Sequence, residues 1–260
     1  MCTLVVAVGA FAEAPLLLAA NRDEMLLRPA VPPLVWPGPP RFVAPRDELA
    51  GGTWLGVGEH GVVVGVTNRA GAPRDATRRS RGALVVDALL ARSAASLREQ
   101  LERLDPGRHN PFHLVYGDRA AAHLSWSDGA VVHHAELGPG LHVVTERSPG
   151  VGAGGPDTPR AERVHAAWRA TVAGRPLSAA ALHALLRQHA PAGAGSDPFA
   201  ATCIHADAFG YGTRSSALLA LGAGGGAALS WAEGKPCVTP YEDASALLGS
   251  IGLAPFVLPG

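Results

Sequence analysis

The feature that most constrains the fold is a short apolar run that begins at residue 2 and is followed closely by a second one. Residues 2–9 read Cys-Thr-Leu-Val-Val-Ala-Val-Gly, and residues 15–20 read Pro-Leu-Leu-Leu-Ala-Ala. Apolar runs of this length, bounded by glycine or proline, are typical of buried strands. A strand pair that begins at residue 2 leaves no flexible arm ahead of it, so the amino terminus is predicted to be built into a sheet.

Four polar residues, Asn-Arg-Asp-Glu at positions 21–24, directly follow the second run. Antiparallel pairing of the two strands would return this cluster to Cys2. If Met1 is removed, Cys2 carries a thiol and a free α-amine, and the amine can act as the base for its own side chain. Two simpler interpretations stand beside this hypothesis: Cys2 as a buried apolar residue of a first strand, and the tetrad as a polar turn with internal ion pairs.

The rest of the chain is predicted to alternate blocks of strands with pairs of helices. Further strands are predicted at 51–57, 61–68, 112–116, 121–126, 131–137, 141–146, 201–206, 213–221 and 227–231, and helices around 84–104, 164–171 and 182–186. Strand–helix–strand alternation is missing, which argues against a doubly wound parallel sheet. We expect an α+β fold in which two helical layers flank two mainly antiparallel sheets, as one domain over residues 1–260.

Two local expectations concern the surroundings of the polar cluster. Seven prolines fall between residues 28 and 45, which predicts an irregular loop that could cover the cluster as a lid. Asn21 and Asn68 are each expected at the end of a strand.

Charge and apolar content exclude several classes of protein. Lysines plus arginines number 22, equal to the 22 aspartates plus glutamates, so no net field recruits nucleic acid or an anionic membrane. With 47% apolar residues the chain can build a globular core, yet no run reaches the ~20 apolar residues of a membrane span. A signal peptide is not recognisable either, so a cytoplasmic protein is expected.

The cysteines and histidines predict no metal site. The three cysteines form an odd count without paired spacing, which disfavours a disulfide framework. Cys203 and His205 are the only Cys/His pair at short spacing, with no third or fourth ligand nearby in sequence. Zinc is therefore not expected, and Cys203 and Cys237 are interpreted as ordinary thiols.

Six short motifs occur in a fixed order along the chain: Met-Cys at 1–2, Ala-Asn-Arg-Asp-Glu at 20–24, Arg-Pro at 28–29, Gly-Gly-Thr-Trp-Leu-Gly at 51–56, Thr-Asn at 67–68 and Tyr-Gly-Thr-Arg at 211–214. Together they resemble the NRDE family, also called the transport-and-Golgi-organisation family, across residues 1–216. The glycines at 51–52 and 56 are expected to permit tight turns or close backbone approach.

The resemblance implies a four-layer αββα sandwich similar to the amino-terminal-nucleophile hydrolases, in particular the cysteine amidases of the bile-acid hydrolase and penicillin V acylase group. Carried over position by position, it makes Cys2 the nucleophile and its α-amine the base. Asp23 would hold the amine, and Asn68 would line the oxyanion hole. Arg214 would lie beside the thiolate and lower its pKa.

Five further residues are predicted to contact substrate: Asn21, Arg22, Trp54, Glu146 and Tyr211. Glu146 occupies the slot where the family usually has a second asparagine, and a carboxylate cannot donate a hydrogen bond to an oxyanion unless it is protonated. If the second strand continues, Arg22 and Glu24 point away from Asp23 and are expected to form structural ion pairs.

The resemblance predicts a hydrolase or acyl transferase that acts on a linear C–N amide bond of a small-molecule amide or acyl substrate, with no cofactor. The alternative is a non-catalytic protein on the same fold that binds and traffics haem, or a lipid or acyl group. The oligomeric state stays open, with a homodimer as one option.

Overall fold

The computed structural model describes residues 2–71, 74–148, 159–190 and 197–260, and within them two stacked antiparallel sheets lie between helices. In chain order the strands are β1 (Cys2–Val8), β2 (Leu16–Met25), β3 (Ala30–Trp36), β4 (Phe42–Asp47), β5 (Leu55–Gly58), β6 (Val63–Asn68), β7 (Phe112–Gly117), β8 (Ala122–Ser127), β9 (Val132–Glu136), β10 (Gly140–Val144), β11 (His205–Ala206), β12 (Tyr211–Leu221), β13 (Ala227–Ala232) and β14 (Glu242–Asp243). The helices are α1 (Arg81–Leu89), α2 (Ala94–Glu102), α3 (Pro159–Thr171), α4 (Ala179–Leu186) and α5 (Ala246–Gly249).

The first sheet has the order β10-β1-β2-β12-β13-β14, with β11 paired to β12, and the second has the order β3-β4-β5-β6-β7-β8-β9. Every strand pair within the two sheets is antiparallel. Strand β1, which carries Cys2, and the polar strand β2 are therefore central in the first sheet, with β12 on the far side of β2. The prediction that the amino terminus is built into a sheet is confirmed.

Both faces of β1 and β2 are buried, which explains their continuous apolar sequences. Alternate residues such as Leu4 and Leu18 face the second sheet, within the core that also holds Val64. Their neighbours, such as Val5 and Leu17, belong to a separate cluster with side chains of α3 and α4.

The outer layers complete an αββα sandwich. Helices α3 and α4 cover the first sheet, and α1 covers β5 and β6 of the second. Ser93 starts α2 with a capping box, in which its hydroxyl accepts from the Ser96 backbone N–H and the Ser96 hydroxyl accepts from the Ser93 N–H. The predicted α+β class and layer order are confirmed, while the assignment of residues 1–260 to one domain stays a prediction. No helix in the described ranges is long and apolar enough to cross a membrane.

The polar tetrad lies inside a strand and not after it. Strand β2 continues to Met25 because β12 pairs with it over its whole length, from Leu221 opposite Leu16 to Tyr211 opposite Met25. The expectation that Asn21 ends a strand is therefore wrong, whereas Asn68 is the last residue of β6.

The predicted proline-rich lid is also wrong, because residues 30–47 form the edge hairpin β3–β4 of the second sheet. Pro32 and Pro33 fall where the pairing register shifts, between Val31 and Leu34. An edge strand tolerates proline because its outward-facing backbone needs no ladder donor, and a bulge removes the need locally.

Of the strand predicted at 201–206, only β11 (His205–Ala206) is formed. The backbone N–H groups of Thr202 and Cys203 donate to the carbonyl oxygen of Gln188 instead of to a neighbouring strand. This segment consequently links the end of α4 to the polar end of β2.

Candidate active site

A cavity of about 510 Å³ opens where the polar end of β2 faces the second sheet and the segment before α1. Its lining combines the amino-terminal nucleophile candidate with charged side chains from both sheets. The lining includes Cys2, Arg22, Asp23, Glu24, Arg28, Asp47, Trp54, Asn68, Arg74, Asp75, Arg78 and Arg81.

Cys2 is placed at this cavity by antiparallel pairing with Arg22. Only 8% of the surface of Cys2 is exposed to solvent. The Cys2 backbone nitrogen donates to the Thr67 hydroxyl oxygen at 3.2 Å, and that hydroxyl lies 3.2 Å from the Cys2 carbonyl oxygen. Thr67 therefore holds the backbone of Cys2 on both sides. In the sequence, Thr67 belongs to the Thr-Asn motif, but nothing in that motif indicates this contact.

The thiol of Cys2 sits in a mixed electrostatic environment. Burial raises its pKa above the ordinary value, and the Asp23 carboxylate adds to the rise, whereas the Arg22 guanidinium and a hydrogen bond from the Asp23 backbone N–H lower it. Among the side chains of the described residues, Arg22 is thus the cation that lowers the pKa of this thiol.

Arg22 is held in place by an ion pair across the sheets. Its Nη2 lies 2.6 Å from Asp47 Oδ2, and Arg28 Nε lies 2.6 Å from the same oxygen. Burial would raise the pKa of Asp47, but the hydrogen bonds from Arg28 and from the Ala50 backbone, with the charges of both arginines, hold it below its usual range. The structural ion pair expected for Arg22 exists, with Asp47 as its partner, and Arg22 also lines the cavity.

Arg214 is not among the described residues that line the cavity with Cys2. The pairing between β2 and β12 shifts register between Thr213 and Ser215, so Arg214 is the extra residue of a bulge. Bulges re-aim side chains, and the Arg214 Nη1 atom lies 3.0 Å from Glu233 Oε1. The expectation that Arg214 lies beside the thiolate is therefore not met, because a bulge cannot be read from strand alternation.

Asp23 lies beside Cys2 in a buried polar environment. Its Oδ1 accepts a hydrogen bond from the Thr213 hydroxyl at 2.7 Å, and its Oδ2 lies 4.0 Å from Arg160 Nη1. Burial raises the pKa of Asp23 to about 6, although the Arg160 charge and the Thr213 hydrogen bond oppose the rise. This carboxyl is therefore ionised at neutral pH and titrates near pH 6.

Glu146 is on the helical side of the first sheet and is absent from the described lining of the cavity. Its Oε2 accepts from Arg160 Nη1 at 3.1 Å, and the same Nη1 donates to the Thr3 hydroxyl at 3.1 Å. Arg160 is 3% exposed. Glu146 thus forms an ion pair with Arg160 at the position where the family resemblance predicts an asparagine that donates to an oxyanion. No motif pointed to Arg160, which comes from helix α3.

Asn21 and Tyr211 also lie outside the cavity as its described residues define it. The Asn21 side-chain nitrogen donates to the carbonyl oxygens of Leu186 at 2.9 Å and Thr202 at 2.7 Å, on the helical face of β2. The Tyr211 hydroxyl donates to the Asp23 carbonyl oxygen at 2.8 Å, and burial raises the pKa of this phenol. Both positions support the strand that carries Asp23, and neither is placed to contact a ligand in the cavity.

Asn68, predicted to line the oxyanion hole, and Trp54, predicted to contact substrate, both line the cavity. Asn68 is exposed at the end of β6, so its amide is accessible from the cavity. Trp54 is 7% exposed, and its ring centroid is 6.2 Å from that of Trp231. Trp54 forms an apolar wall next to the charged groups.

Three arginines, two before α1 and one at its first residue, contribute positive charge to the cavity and belong to no recognised motif. Arg78 pairs with Asp75, with 3.5 Å between its Nε and the carboxylate Oδ2. Arg81 donates from Nη1 to the Pro111 carbonyl oxygen at 2.9 Å. Within the described ranges, neither Arg74 nor Arg81 has an ion-pair partner, so two guanidinium groups line the cavity without a carboxylate in contact with them.

A second cluster of potential ligands lies outside the cavity. The fold brings His189 and Cys237 to Cys203 and His205, with all four ligand atoms within 4.8 Å of one another. Zinc was not expected because Cys203 and His205 have no further ligand near them in the sequence. That reason is wrong, since His189 and Cys237 come from distant segments of the chain.

The layer order and the strand topology are those of the N-terminal-nucleophile hydrolase fold. Penicillin V acylase from Agrobacterium tumefaciens superposes with a TM-score of 0.58 at 17% identity, over 95% of this chain and 88% of that one. The C2A mutant of conjugated bile acid hydrolase from Clostridium perfringens gives 0.58 at 11% identity, over 95% and 93%. The N-acylethanolamine-hydrolysing acid amidase orthologue of Caenorhabditis elegans gives 0.57 at 12%, over 84% and 92%.

Residues 1–230 match the family called transport and Golgi organisation 2, and the chain belongs to that family. No curated protein sequence matches the chain. At these identities the solved structures show a shared fold alone.

Proposed function

We propose that this protein is an N-terminal-nucleophile cysteine hydrolase or acyl transferase that acts on a linear C–N amide bond. The observation that carries the proposal is the placement of Cys2 at a polar cavity, paired with Arg22 and adjacent to Asp23. The proposal requires removal of Met1, which lies outside the described residues.

The first half of the reaction forms a thioester. The α-amine of Cys2 takes the thiol proton, and the sulfur attacks the amide carbonyl carbon while the carbonyl electron pair moves to oxygen. The Asn68 amide, which lines the cavity, donates a hydrogen bond to the developing oxyanion together with a backbone N–H. The C–N bond then breaks, and the α-ammonium gives its proton to the leaving amine.

The second half releases the acyl group. Water, deprotonated by the same α-amine, attacks the thioester carbonyl, the C–S bond breaks, and the thiolate recovers a proton from the α-ammonium. An amine in place of water would accept the acyl group, which gives acyl transfer. One residue thus supplies both nucleophile and base in each half.

Asp23 and Thr67 position this amine. The Thr67 hydroxyl lies 3.2 Å from the Cys2 nitrogen, and the Asp23 backbone N–H contacts the Cys2 sulfur. Thr213 and Arg160 fix the Asp23 carboxylate, which stabilises the ammonium form by its charge. Arg22 stabilises the thiolate and is in turn fixed by Asp47.

We further propose that the substrate carries an anionic group. Arg74 and Arg81 line the cavity without an ion pair among the described residues, and guanidinium groups bind carboxylates and phosphates well. An anionic group there would place the rest of the substrate along the wall that Trp54 forms.

The test is turnover of fluorogenic N-acyl amides with and without a carboxylate on the acyl chain. Wild-type protein should hydrolyse them and favour the anionic set, and Cys2→Ala should abolish turnover. Arg74→Gln should raise KM for the anionic substrates alone. The matched control is Arg103→Gln, because Arg103 is an exposed arginine at the end of α2. Turnover that survives Cys2→Ala would contradict the proposal.

Haem, lipid or acyl binding without catalysis stays the alternative, since no observed feature of the described residues favours it over turnover. A haem titration of the same preparation separates the two. A saturable change in the Soret band together with no turnover would favour binding.

A further inference from the structure

Four side chains with metal-binding atoms converge at one end of the first sheet, away from the cavity. His189 follows α4, Cys203 and His205 lead into β12, and Cys237 lies in the loop after β13. Their ligand atoms all lie within 4.8 Å of one another. Two thiols and two imidazoles make up one of the common ligand sets of structural zinc sites.

The distances fit a tetrahedral ion. His205 Nε2 lies 3.1 Å from the Cys237 sulfur and 3.6 Å from the Cys203 sulfur. With Zn–S bonds of about 2.3 Å and Zn–N bonds of about 2.0–2.1 Å, ligand atoms around tetrahedral Zn²⁺ lie roughly 3.3–3.8 Å apart. The His189 ring centroid lies 4.8 Å from that of His205, so a small movement of this exposed side chain completes the tetrahedron.

The surrounding groups are those that a zinc site uses. His205 Nδ1, the nitrogen that faces away from the sulfurs, lies 4.0 Å from Asp207 Oδ2, and Asp207 Oδ1 is held by Lys235 Nζ at 2.5 Å. Metal-bound histidines usually direct their second nitrogen at a carboxylate, which fixes the tautomer and the ring orientation. The Cys237 backbone N–H also hydrogen-bonds the Cys203 sulfur.

The cluster is connected to the polar end of β2. The Thr202 carbonyl oxygen, next to Cys203, accepts from the Asn21 amide at 2.7 Å. The Ile204 backbone N–H, on the other side, donates to the Thr213 hydroxyl at 2.8 Å, and that hydroxyl donates to Asp23 Oδ1. An ion that fixes Cys203 therefore fixes the support of Asp23.

We propose that His189, Cys203, His205 and Cys237 bind one Zn²⁺ in a closed structural site that clamps three segments of the chain behind Asp23. The four ligands fill the coordination sphere, so this site holds the fold and takes no part in bond breaking. The proposal stands whether or not the cavity catalyses turnover.

The experiment measures metal content and ligand type on the full chain. Protein purified without chelators should carry one zinc per chain by elemental mass spectrometry, and X-ray absorption should show two sulfur and two nitrogen ligands. After removal of zinc, added Co²⁺ should give the visible spectrum of a tetrahedral cobalt site with thiolate-to-metal charge-transfer bands. The Cys2→Ala variant should keep the full zinc content.

Two milder variants keep the test informative if cysteine substitutions fail to fold. His189→Ala should weaken zinc affinity, measured against a competing chelator, and Asp207→Asn should weaken it roughly 10–100-fold while all four ligands remain. A chain that neither carries zinc nor binds added Zn²⁺ or Co²⁺ stoichiometrically would overturn the proposal. So would a disulfide between Cys203 and Cys237 in freshly purified protein, or unchanged affinity in both variants.

Discussion

At the scale of single residues, the site depends on two buried charges that sit close to one thiol. Arg22 and Asp23 are neighbours in sequence but are supported from opposite sides, by Asp47 of the second sheet and by Arg160 of helix α3. Strand alternation explains this, because successive side chains point to opposite faces. The sequence predicted correctly that antiparallel pairing returns the polar residues of β2 to Cys2, whereas neither Asp47 nor Arg160 belongs to any recognisable motif.

The raised pKa of Asp23 predicts a specific dependence of stability on pH. Its carboxyl ordinarily titrates near 3.8 and in the fold at about 6, so the folded state binds the proton more tightly. Its contribution to the free energy of unfolding is fully present below about pH 4 and is lost as pH rises through 6. Two pKa units correspond to about 3 kcal/mol. Urea denaturation of wild type and Asp23→Asn between pH 4 and 7 should show this loss in wild type only; parallel curves would contradict it.

The charge on Arg22, and not that on Arg214, is expected to set the reactivity of Cys2. Arg22→Gln should raise the pKa of the thiol, because an adjacent cation favours the thiolate. Arg214→Gln is the matched control, since Arg214 pairs with Glu233. The measurement is the pH dependence of iodoacetamide labelling at Cys2, followed on the amino-terminal peptide. A shift in the control and none in Arg22→Gln would reverse the assignment.

At the scale of elements, strands and helices with a strong hydrophobic periodicity could be predicted from the sequence. The predictions failed where the local sequence pattern conflicts with pairing to a neighbouring strand. Strand β2 runs on through four polar residues because its partner β12 supplies hydrogen bonds there, and β3 forms despite Pro32 and Pro33 because it is an edge strand. The bulge that turns Arg214 away leaves no trace in the hydrophobic pattern. Such features depend on neighbours that a single sequence does not identify.

The packing of α1 against the loop before β5 predicts that Gly52 cannot be enlarged. A Cβ atom on Gly52 would lie 2.4 Å from the Gly82 carbonyl carbon, where α1 begins. Gly52→Ala should therefore destabilise the protein by about 1–3 kcal/mol through overpacking and displace Arg81 from the cavity. Gly224→Ala, at a turn where an added Cβ meets nothing within 4 Å, is the control. Chemical denaturation of both variants decides, and equal stabilities would contradict the argument.

At the scale of the whole molecule, the layer order was predictable because blocks of strands alternate with pairs of helices. What could not be predicted is how the ends of the chain meet. The Asp23 carboxylate accepts a hydrogen bond from the Thr213 hydroxyl, and that hydroxyl accepts one from the Ile204 backbone N–H. The residue before Ile204 is Cys203 of the proposed zinc site. The first two dozen residues thus hold the proposed reacting groups, while segments near residues 160 and 200 contact those groups and position them.

The central claim, that Cys2 is an amino-terminal nucleophile, is tested most directly by the mass of the amino-terminal peptide after brief incubation with p-nitrophenyl acetate. We predict a peptide that begins at Cys2 and carries one acetyl group, while the Cys2→Ala protein stays unmodified under the same conditions. A peptide that begins at Met1, or an unmodified Cys2 peptide beside acetylated Cys203 or Cys237, would contradict the claim.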